Sequence, residues 1–264
     1  MLIKVVAVQS EVGQPLTLEE KIYIFKQRPD FVCFPEYAMI TPEEPDFHRA
    51  ALKTHQHLDY FTRLSTDLST CLVAGSVVEP DGDRLYNTSY LINRGNLLGR
   101  YRKMHPVEGE LNQGISAGEK IAVFNIEGTI VGLMICGDVF YPARYEALAA
   151  HGADVIFIPT TSPYRADDTP GQKRRRDEQY FISGARSAGA YVTKVSSVGQ
   201  LFGRPLQGRS SIAAPWGLLT QTEFEAEQQK RILSVTLDID EVREFRRKRQ
   251  RKAAVSVSSE RSAG

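Results

Sequence analysis

Cysteine is scarce in this chain. Cys33, Cys71 and Cys136 are the only three among 264 residues, they lie far apart, and none belongs to a C-x-x-C pair. An even disulfide framework is thereby excluded, thiolate metal spacing is missing, and the pattern fits a reducing compartment. An excess of one charge is missing as well: Lys and Arg number 33 against 32 Asp and Glu, so no global field recruits nucleic acid or an acidic membrane. No apolar run approaches the length that spans a bilayer, and no internal period marks a repeat array. The first residues, Met1-Leu-Ile-Lys-Val-Val-Ala-Val, enter a strand pattern at once, without a basic leader or cleavage site. Together these absences lead us to expect a soluble cytoplasmic protein that binds neither nucleic acid nor membrane and holds no metal.

What is present is apolar substance. Hydrophobic residues make up 42% of the chain, enough to bury a sizeable core, and one α/β domain over residues 1–240 is expected. Composition shifts beyond Asp240. Residues 241–264 read as a charged helix, Glu241 to about Lys252, followed by a small, polar stretch from Ala253 that is expected to be disordered. No base-reading motif accompanies the basic run Arg243 to Lys252, so a nucleic-acid arm is not expected.

The stretch from Ile130 to Pro159 reads as strand, turn, helix, strand. Ile130 to Ile135 is short, apolar and β-branched, as a buried strand requires, and it stops at Cys136-Gly137 ahead of a helical segment. Pro142 fits the first helical turn, where its missing N–H costs nothing, and Gly152 closes the helix before Val155 to Ile158. A cysteine at such a turn can face the N–H groups of Gly137 and its neighbours, which favour a thiolate or an oxyanion. Taken alone, Cys136 is equally well a small buried hydrophobe at a strand end.

Other stretches place polar residues at strand ends. Leu2 to Gln9 reads as a first strand, and Leu18 to Gln27 as a helix with Leu18, Ile22 and Phe25 on its apolar face. Phe31 to Phe34 is a second strand, and Glu36 follows it on the edge where α/β proteins collect ligands, although an isolated glutamate is commonly just an exposed loop charge. His48 to Thr70 reads as one long helix. Its His55 and His57 have no cysteine or carboxylate at ligand spacing and are expected on a solvated face. Cys71 to Val78 and Tyr86 to Ile92 form a hairpin across Pro80-Asp-Gly-Asp. Lys103 then lies among Arg100, Arg102 and His105, with Glu108 and Glu110 in a loop that Pro106 and Gly109 keep from being helical. That segment brings a cation and a carboxylate close together, or it is an ordinary charged loop. Thr160-Thr-Ser-Pro-Tyr is a polar run beyond another strand end. Gln172 to Gly189 reads as a helix with Tyr180, Phe181 and Ala185 as its apolar stripe and a solvated basic start. Tyr191 to Ser196, Ser210 to Ala214 and Ile232 to Leu237 complete the strands.

Four separated stretches, Phe34-Pro-Glu36, Tyr101-Arg-Lys103-Met-His, Glu110 ahead of Gly118, and Ile135-Cys136-Gly-Asp138, resemble in their order the signature segments of the nitrilase, or carbon–nitrogen hydrolase, superfamily. The likeness continues through Arg186-Ser-Ala-Gly-Ala-Tyr-Val and Gly208-Arg-Ser-Ser-Ile-Ala-Ala-Pro-Trp-Gly, nearly the whole chain. The resemblance implies an α/β fold of four αββα layers, two packed mixed β-sheets with helices outside, usually dimerised through helices that follow the cysteine and the Thr160 loop. It also implies roles: Cys136 as nucleophile, Glu36 as general base and acid, Lys103 as the cation that holds the oxyanion, and Glu110, or Glu108 two residues away, as a second carboxylate. Gly137, Asp138, Tyr141, Thr160 and Thr161 flank the nucleophile and are the expected substrate-binding residues. Gly137 stands where many relatives carry a larger side chain, and Thr-Thr-Ser-Pro where others place an asparagine or a tryptophan.

The implied activity is hydrolysis of a small amide or carbamoyl compound through a thioester, without a cofactor. An amide carbonyl is a poor electrophile, so cleavage needs a strong nucleophile, a held oxyanion and a proton for the departing nitrogen, and this set supplies all three. Acyl transfer through the same thioester and a catalytically silent binding protein are the alternatives. A homodimer is expected through the helices Tyr141 to Ala150 and Gln172 to Gly189, whose Ala147, Ala149, Ala150, Ala185, Ala188 and Gly189 would let another helix approach closely.

Overall fold

β1 (Leu2–Gln9) sends Val5 and Ala7 to one face and Val6 and Val8 to the other, and all four are buried. A strand apolar on both faces needs cover on both sides, which a single sheet with one layer of helices cannot give. The computed structural model, which describes residues 1–261 and side chains through Arg251, supplies that cover with a second sheet.

The first half of the chain continues through α1 (Leu18–Gln27), β2 (Phe31–Cys33), α2 (Phe47–Ala51), α3 (Thr54–Asp67), β3 (Cys71–Val73), β4 (Val77–Asp81), β5 (Arg84–Asn93), β6 (Asn96–Arg102), α4 (Glu108–Leu111) and β7 (Ile115–Ser116). The second half runs through β8 (Ala122–Ile126), β9 (Thr129–Leu133), α5 (Pro142–Ala150), β10 (Val155–Thr160), α6 (Pro170–Asp177), α7 (Ser183–Ala188), β11 (Tyr191–Ser196), the small hairpin β12 (Gln200–Leu201) and β13 (Arg204–Pro205), then β14 (Ser211–Ala214), β15 (Gly217–Gln221), β16 (Arg231–Asp238) and α8 (Ile239–Arg261). One sheet has the order β16-β1-β2-β3-β5-β4, with β6 and β7 also on β5; the other is β15-β14-β11-β10-β9-β8. β1, β2 and β3 are parallel, as are β9, β10 and β11. Antiparallel strands flank each set.

The two sheets meet face to face. Val5, Ala7, Cys33, Val73 and Leu91 pack against Val131, Leu133, Val155 and Ile212, with the rings of Phe31 and Phe157 5.7 Å apart. On the outer face of the first sheet, Val6, Val8, Val32 and Leu72 are covered by Ile24 of α1 and by Phe61 and Leu64 of α3. On the second, Ile156, Ile158 and Val192 lie under Tyr145 and Leu148 of α5 and Ala185 and Ala188 of α7. This is the four-layer αββα sandwich that the resemblance implied.

Several local expectations are corrected. Leu18, Ile22 and Phe25 are exposed, and Ile24 is the buried residue of α1; helical spacing marks an apolar stripe without saying which stripe meets the sheet. The single helix expected over 48–70 is two, with a corner at Leu52-Lys53 where the Thr54 hydroxyl donates to the carbonyls of Ala51 and Val78. His57 is buried, 3.9 Å from the Glu44 carboxylate, and burial lowers its pKa despite that neighbour. The strand expected over 71–78 breaks at Gly75, whose φ of +57° and close approach to Pro35, 2.0 Å from carbonyl oxygen to the place of a Cβ, admit no side chain. Lys173, at the expected solvated helix start, is buried against Glu227 at 2.6 Å.

The helix expected over 172–189 is interrupted by a wide, π-helical turn at Glu178–Ile182. Its small residues serve this chain's own packing. Ala185 and Ala188 are buried, and Gly184 lies so near α5 that a Cβ would sit 2.3 Å from the Tyr145 ring. α8 folds back on the body, where Arg243 and Arg246 both pair at 2.6 Å with the wholly buried Asp154. α8 runs to Arg261, through most of the stretch from Ala253 expected to be disordered, and residues 262–264 lie outside the described residues. Among the described residues, no helix is long and apolar enough to cross a membrane.

Gly184→Ala should lower stability by about 1–3 kcal/mol through overpacking, read as a lower urea midpoint. Gly171→Ala, where the nearest atom is 3.9 Å away, should change it little. Equal midpoints for the two variants would contradict this account of the α5–α7 contact.

Candidate active site

Most polar residues of the site leave the end of a strand or the loop just beyond it. Glu36 follows β2 on a loop backed by Gly75, Lys103 follows β6, Cys136 follows β9 after two residues, and Thr160 and Thr161 close β10. Because β2 belongs to one sheet and β9 and β10 to the other, the site straddles the sandwich.

Lys103 is the hub. Its ammonium lies 2.8 Å from Glu36 Oε1 and 2.6 Å from Glu110 Oε2, with all three side chains buried. Asn87 Nδ2 donates to both carboxylates, at 2.8 Å to Glu36 and 2.7 Å to Glu110. The Tyr37 hydroxyl and the Val107 N–H complete Glu110, at 2.6 and 2.8 Å. The Thr161 N–H and hydroxyl complete Glu36 at Oε2, at 2.8 and 2.5 Å. Glu110 is therefore the second carboxylate of this cluster, and Glu108 points into solvent. The segment expected to be a non-helical loop forms the single turn α4, which carries Glu110 inward.

Charge states follow from these contacts. Burial alone would discharge Lys103, but the carboxylates of Glu36 and Glu110 raise its pKa well above the ordinary lysine value. Burial pushes the Glu110 carboxyl up, and the Lys103 ammonium outweighs that push and holds it below the usual carboxylate range. Lys103 and Glu110 thus stay ionised at neutral pH. For Cys136, burial is the main effect and raises the thiol far above its ordinary value; the Glu36 carboxylate adds to the rise and Lys103 offsets only part of it. The resting sulfur is a thiol, and its S–H points to the Thr161 carbonyl at 3.3 Å.

The nucleophile turn is held from inside. Cys136 has φ of +40°, a left-handed conformation that non-glycine residues adopt only when the surroundings enforce it. The enforcing group is Asp138. Its wholly buried carboxylate accepts from Ile135 N–H at 2.9 Å, Tyr101 OH at 2.7 Å and His105 N–H at 2.9 Å, and lies 3.1 Å from His105 Nδ1. The Asp138 N–H closes on the Ile135 carbonyl at 3.0 Å, which removes it as an oxyanion donor. Gly137 is hemmed in: a Cβ would lie 2.9 Å from the Val107 side chain and 3.0 Å from the His105 carbonyl oxygen.

A cavity of about 390 Å³ opens beside the sulfur, and Lys103, Glu110, Cys136, Thr160 and Thr161 are on its wall. Gly137, Asp138 and Tyr141, expected to touch substrate, are not. Asp138 is turned inward, and Tyr141 stacks on the His105 ring at 3.6 Å, bracing the turn from outside. Sequence reasoning missed Tyr37 and Asn87, and it missed Lys194 and Arg209, which also line the cavity. A signal existed for Asn87, a polar residue in the middle of a strand pattern; none existed for Tyr37.

A family model described as carbon–nitrogen hydrolase matches residues 8–247. A probable hydrolase of Bacillus subtilis is 26% identical over 208 residues, 75% of this chain and 39% of that protein. This chain thus spans well under half of that relative's length. An omega-amidase of Xenopus laevis is 25% identical over 248 residues, 87% of this chain and 81% of that protein. The structure of a Saccharomyces cerevisiae member of branch 10 of the nitrilase superfamily superposes with a TM-score of 0.77 at 21% identity, covering 93% of each chain. The last likeness is one of fold.

Because burial keeps Cys136 a thiol, its rate of methylthiolation by methyl methanethiosulfonate should still be climbing above about pH 9, as the thiolate fraction grows. The sign is that of a raised acid pKa: less thiolate at every pH below it. A rate that levels off below about pH 8 would instead reveal a resting thiolate paired with Lys103.

Proposed function

The chain belongs to the carbon–nitrogen hydrolase family, and we propose that it cleaves the carbon–nitrogen bond of a small amide or carbamoyl compound through a thioester on Cys136. One observation carries the reading: Cys136 and Lys103 share a cavity wall, and Glu36 lies directly behind Lys103. The name of the omega-amidase relative is consistent with an amide as substrate.

In this reading Sγ attacks the carbonyl carbon, and its proton passes to Glu36 as the C–S bond forms. A thiol held protonated by its surroundings makes such base assistance necessary. The Lys103 ammonium faces the carbonyl oxygen as it becomes an oxyanion, where a buried fixed charge is worth more than in water. Glu36 next protonates the nitrogen, the C–N bond breaks, and ammonia or an amine departs. Water then adds to the thioester while Glu36 takes its proton, and collapse returns that proton to sulfur and frees the acid. Thr161 and Asn87 orient Glu36 throughout.

Wild type, Cys136→Ala and Glu36→Gln are to be compared on ω-amides, carbamoyl compounds and nitriles. Cys136→Ala should lose on the order of a thousandfold or more in turnover, as removal of a nucleophile does. Mass spectrometry should find an acyl group on Cys136 in stalled enzyme. Turnover equal to wild type in Cys136→Ala would sink the assignment.

We further propose a homodimer formed through the outer faces of α5 and α6, with Phe140 and Tyr141 at its margin. Both rings are exposed just ahead of α5, on which Ala147 is half-buried, and exposed aromatic rings favour burial. Light scattering should give twice the chain mass at micromolar concentration, and Ala147→Arg should lower it. A fully active monomer would refute the dimer.

A further inference from the structure

The cavity carries a second set of polar groups that the chemistry above does not use. There Lys194 Nζ lies 3.0 Å from Asp177 Oδ1, and Arg209 Nη1 lies 2.9 Å from Asp177 Oδ2. All three side chains are at least nine-tenths buried. Gln221 Nε2 donates to the same Oδ2 at 2.7 Å, so one carboxylate serves two cations and an amide.

The charges do not balance. Arg176 is met by Asp168, and Lys173 is met by Glu227. Asp177 can neutralise only one of Lys194 and Arg209, and Arg165 and Arg204 add further positive charge at the exposed rim of the cavity. An unmatched positive charge is costly in a buried place unless something completes it. Two groups in this set also lack partners: Arg209 Nη1 forms no well-aligned hydrogen bond, and Gln207 Oε1, from a side chain 3% exposed, has no partner at all. The side-chain amide of Gln207 can present either its oxygen or its nitrogen to a ligand.

The wall beside Cys136 that holds Lys103 has the reverse sign. Glu36 and Glu110 share the single positive charge of Lys103, so the reacting end carries one net negative charge. A substrate with a neutral amide and an anionic group is therefore oriented by the cavity: its anion is repelled from Glu36 and Glu110 and drawn to Lys194 and Arg209. Val139, Phe181, Leu201, Phe202 and Leu206 add apolar wall to the same cavity, which suits a short hydrocarbon spacer.

We infer that Lys194, Arg209 and Gln207 form a binding site for a carboxylate, and that the substrate is a small amide or carbamoyl compound bearing one at the end remote from the scissile bond. This rests on the proposed hydrolase reading and narrows it. One unmatched positive charge fits a monoanion better than a phosphate or phosphonate dianion. An aliphatic monoamide with a free terminal carboxylate is the simplest molecule of this kind.

The test compares monoamides of four- to six-carbon dicarboxylic acids with their neutral methyl esters and with phosphonate analogues, in wild type, Lys194→Met and Arg209→Gln. Lys194→Met leaves Asp177 paired with Arg209, so the buried charge is balanced and folding is expected. In wild type, kcat/KM should favour the carboxylate over the ester by about tenfold to a hundredfold, the usual worth of a hydrogen bond to a charged group. That ratio should fall towards one in both variants, mainly through KM. Equal use of acid and ester by wild type, a preference that survives both substitutions, or better use of the phosphonate would each overturn the carboxylate site. Failure of the hydrolase reading looks different: no amide is turned over in a Cys136-dependent way. Butyrate, a monocarboxylate, should still raise the melting temperature of wild type and of Cys136→Ser, and not of Lys194→Met; absence of that shift would overturn the site independently of turnover.

Discussion

The ammonium of Lys103, held between Glu36 and Glu110, is the interaction on which the site is built. Carboxylates in a dry interior are tolerated only when their lone pairs are met by donors and their charge by a cation. Here every donor comes from a different part of the fold: Asn87 from β5, Tyr37 from the loop after β2, Val107 from the approach to α4, and Thr161 from the end of β10. Removing the cation would leave two like charges facing each other in low dielectric, so the arrangement is all-or-nothing. It also explains why α4 exists at all in a segment with a proline and a glycine, since one helical turn carries Glu110 to Lys103 and offers the Val107 N–H to the same carboxylate.

The turn at Cys136 is held by a second network, centred on Asp138, that shares no hydrogen bond with the first. Asp138 spends its carboxylate on the backbone of its own turn and on Tyr101 and His105, residues on either side of Lys103 in sequence. The segment that delivers the cation thus also anchors the cysteine turn. That coupling fixes the relative position of sulfur and ammonium without a direct bond between them, and it keeps Cys136 in a backbone conformation it would otherwise leave. Burial keeps the resting thiol protonated, and a protonated thiol is a weak nucleophile.

Much of this was legible in the sequence because strand ends are marked by abrupt changes from apolar to polar residues. β1 and α1 were read to the residue, and Glu36, Lys103, Glu110 and Cys136 come together as the order of their motifs implied. What was not legible depended on direction in space. Spacing cannot say that α1 would bury Ile24 and expose Leu18, Ile22 and Phe25. Nor could it say that Ala185 and Ala188 would face the chain's own sheet and not another molecule. Lys194 and Arg209 look like ordinary surface cations until β11 and the loop before β14 place them beside Asp177 from a helix, and the basic run at 173–176 hid an ion pair of Lys173 with a residue far along the chain. Asp138 and Tyr141 were misjudged for a related reason: adjacency to a nucleophile does not reveal which way a side chain turns.

The pairing of β1 with β16 carries a consequence for how the molecule comes to be. Leu2 to Gln9 lie opposite Asp238 to Arg231 along the full length of both strands, so one edge of β1 stays open until a strand far along the chain has emerged. Contacts this distant in sequence make closure slow, and an unpaired apolar strand is open meanwhile to association with other chains. The core between the sheets cannot be sealed early either, since each half of the sequence supplies one wall. Folding of this architecture is therefore late and concerted, and its hazards belong to the nascent chain and not to the finished protein.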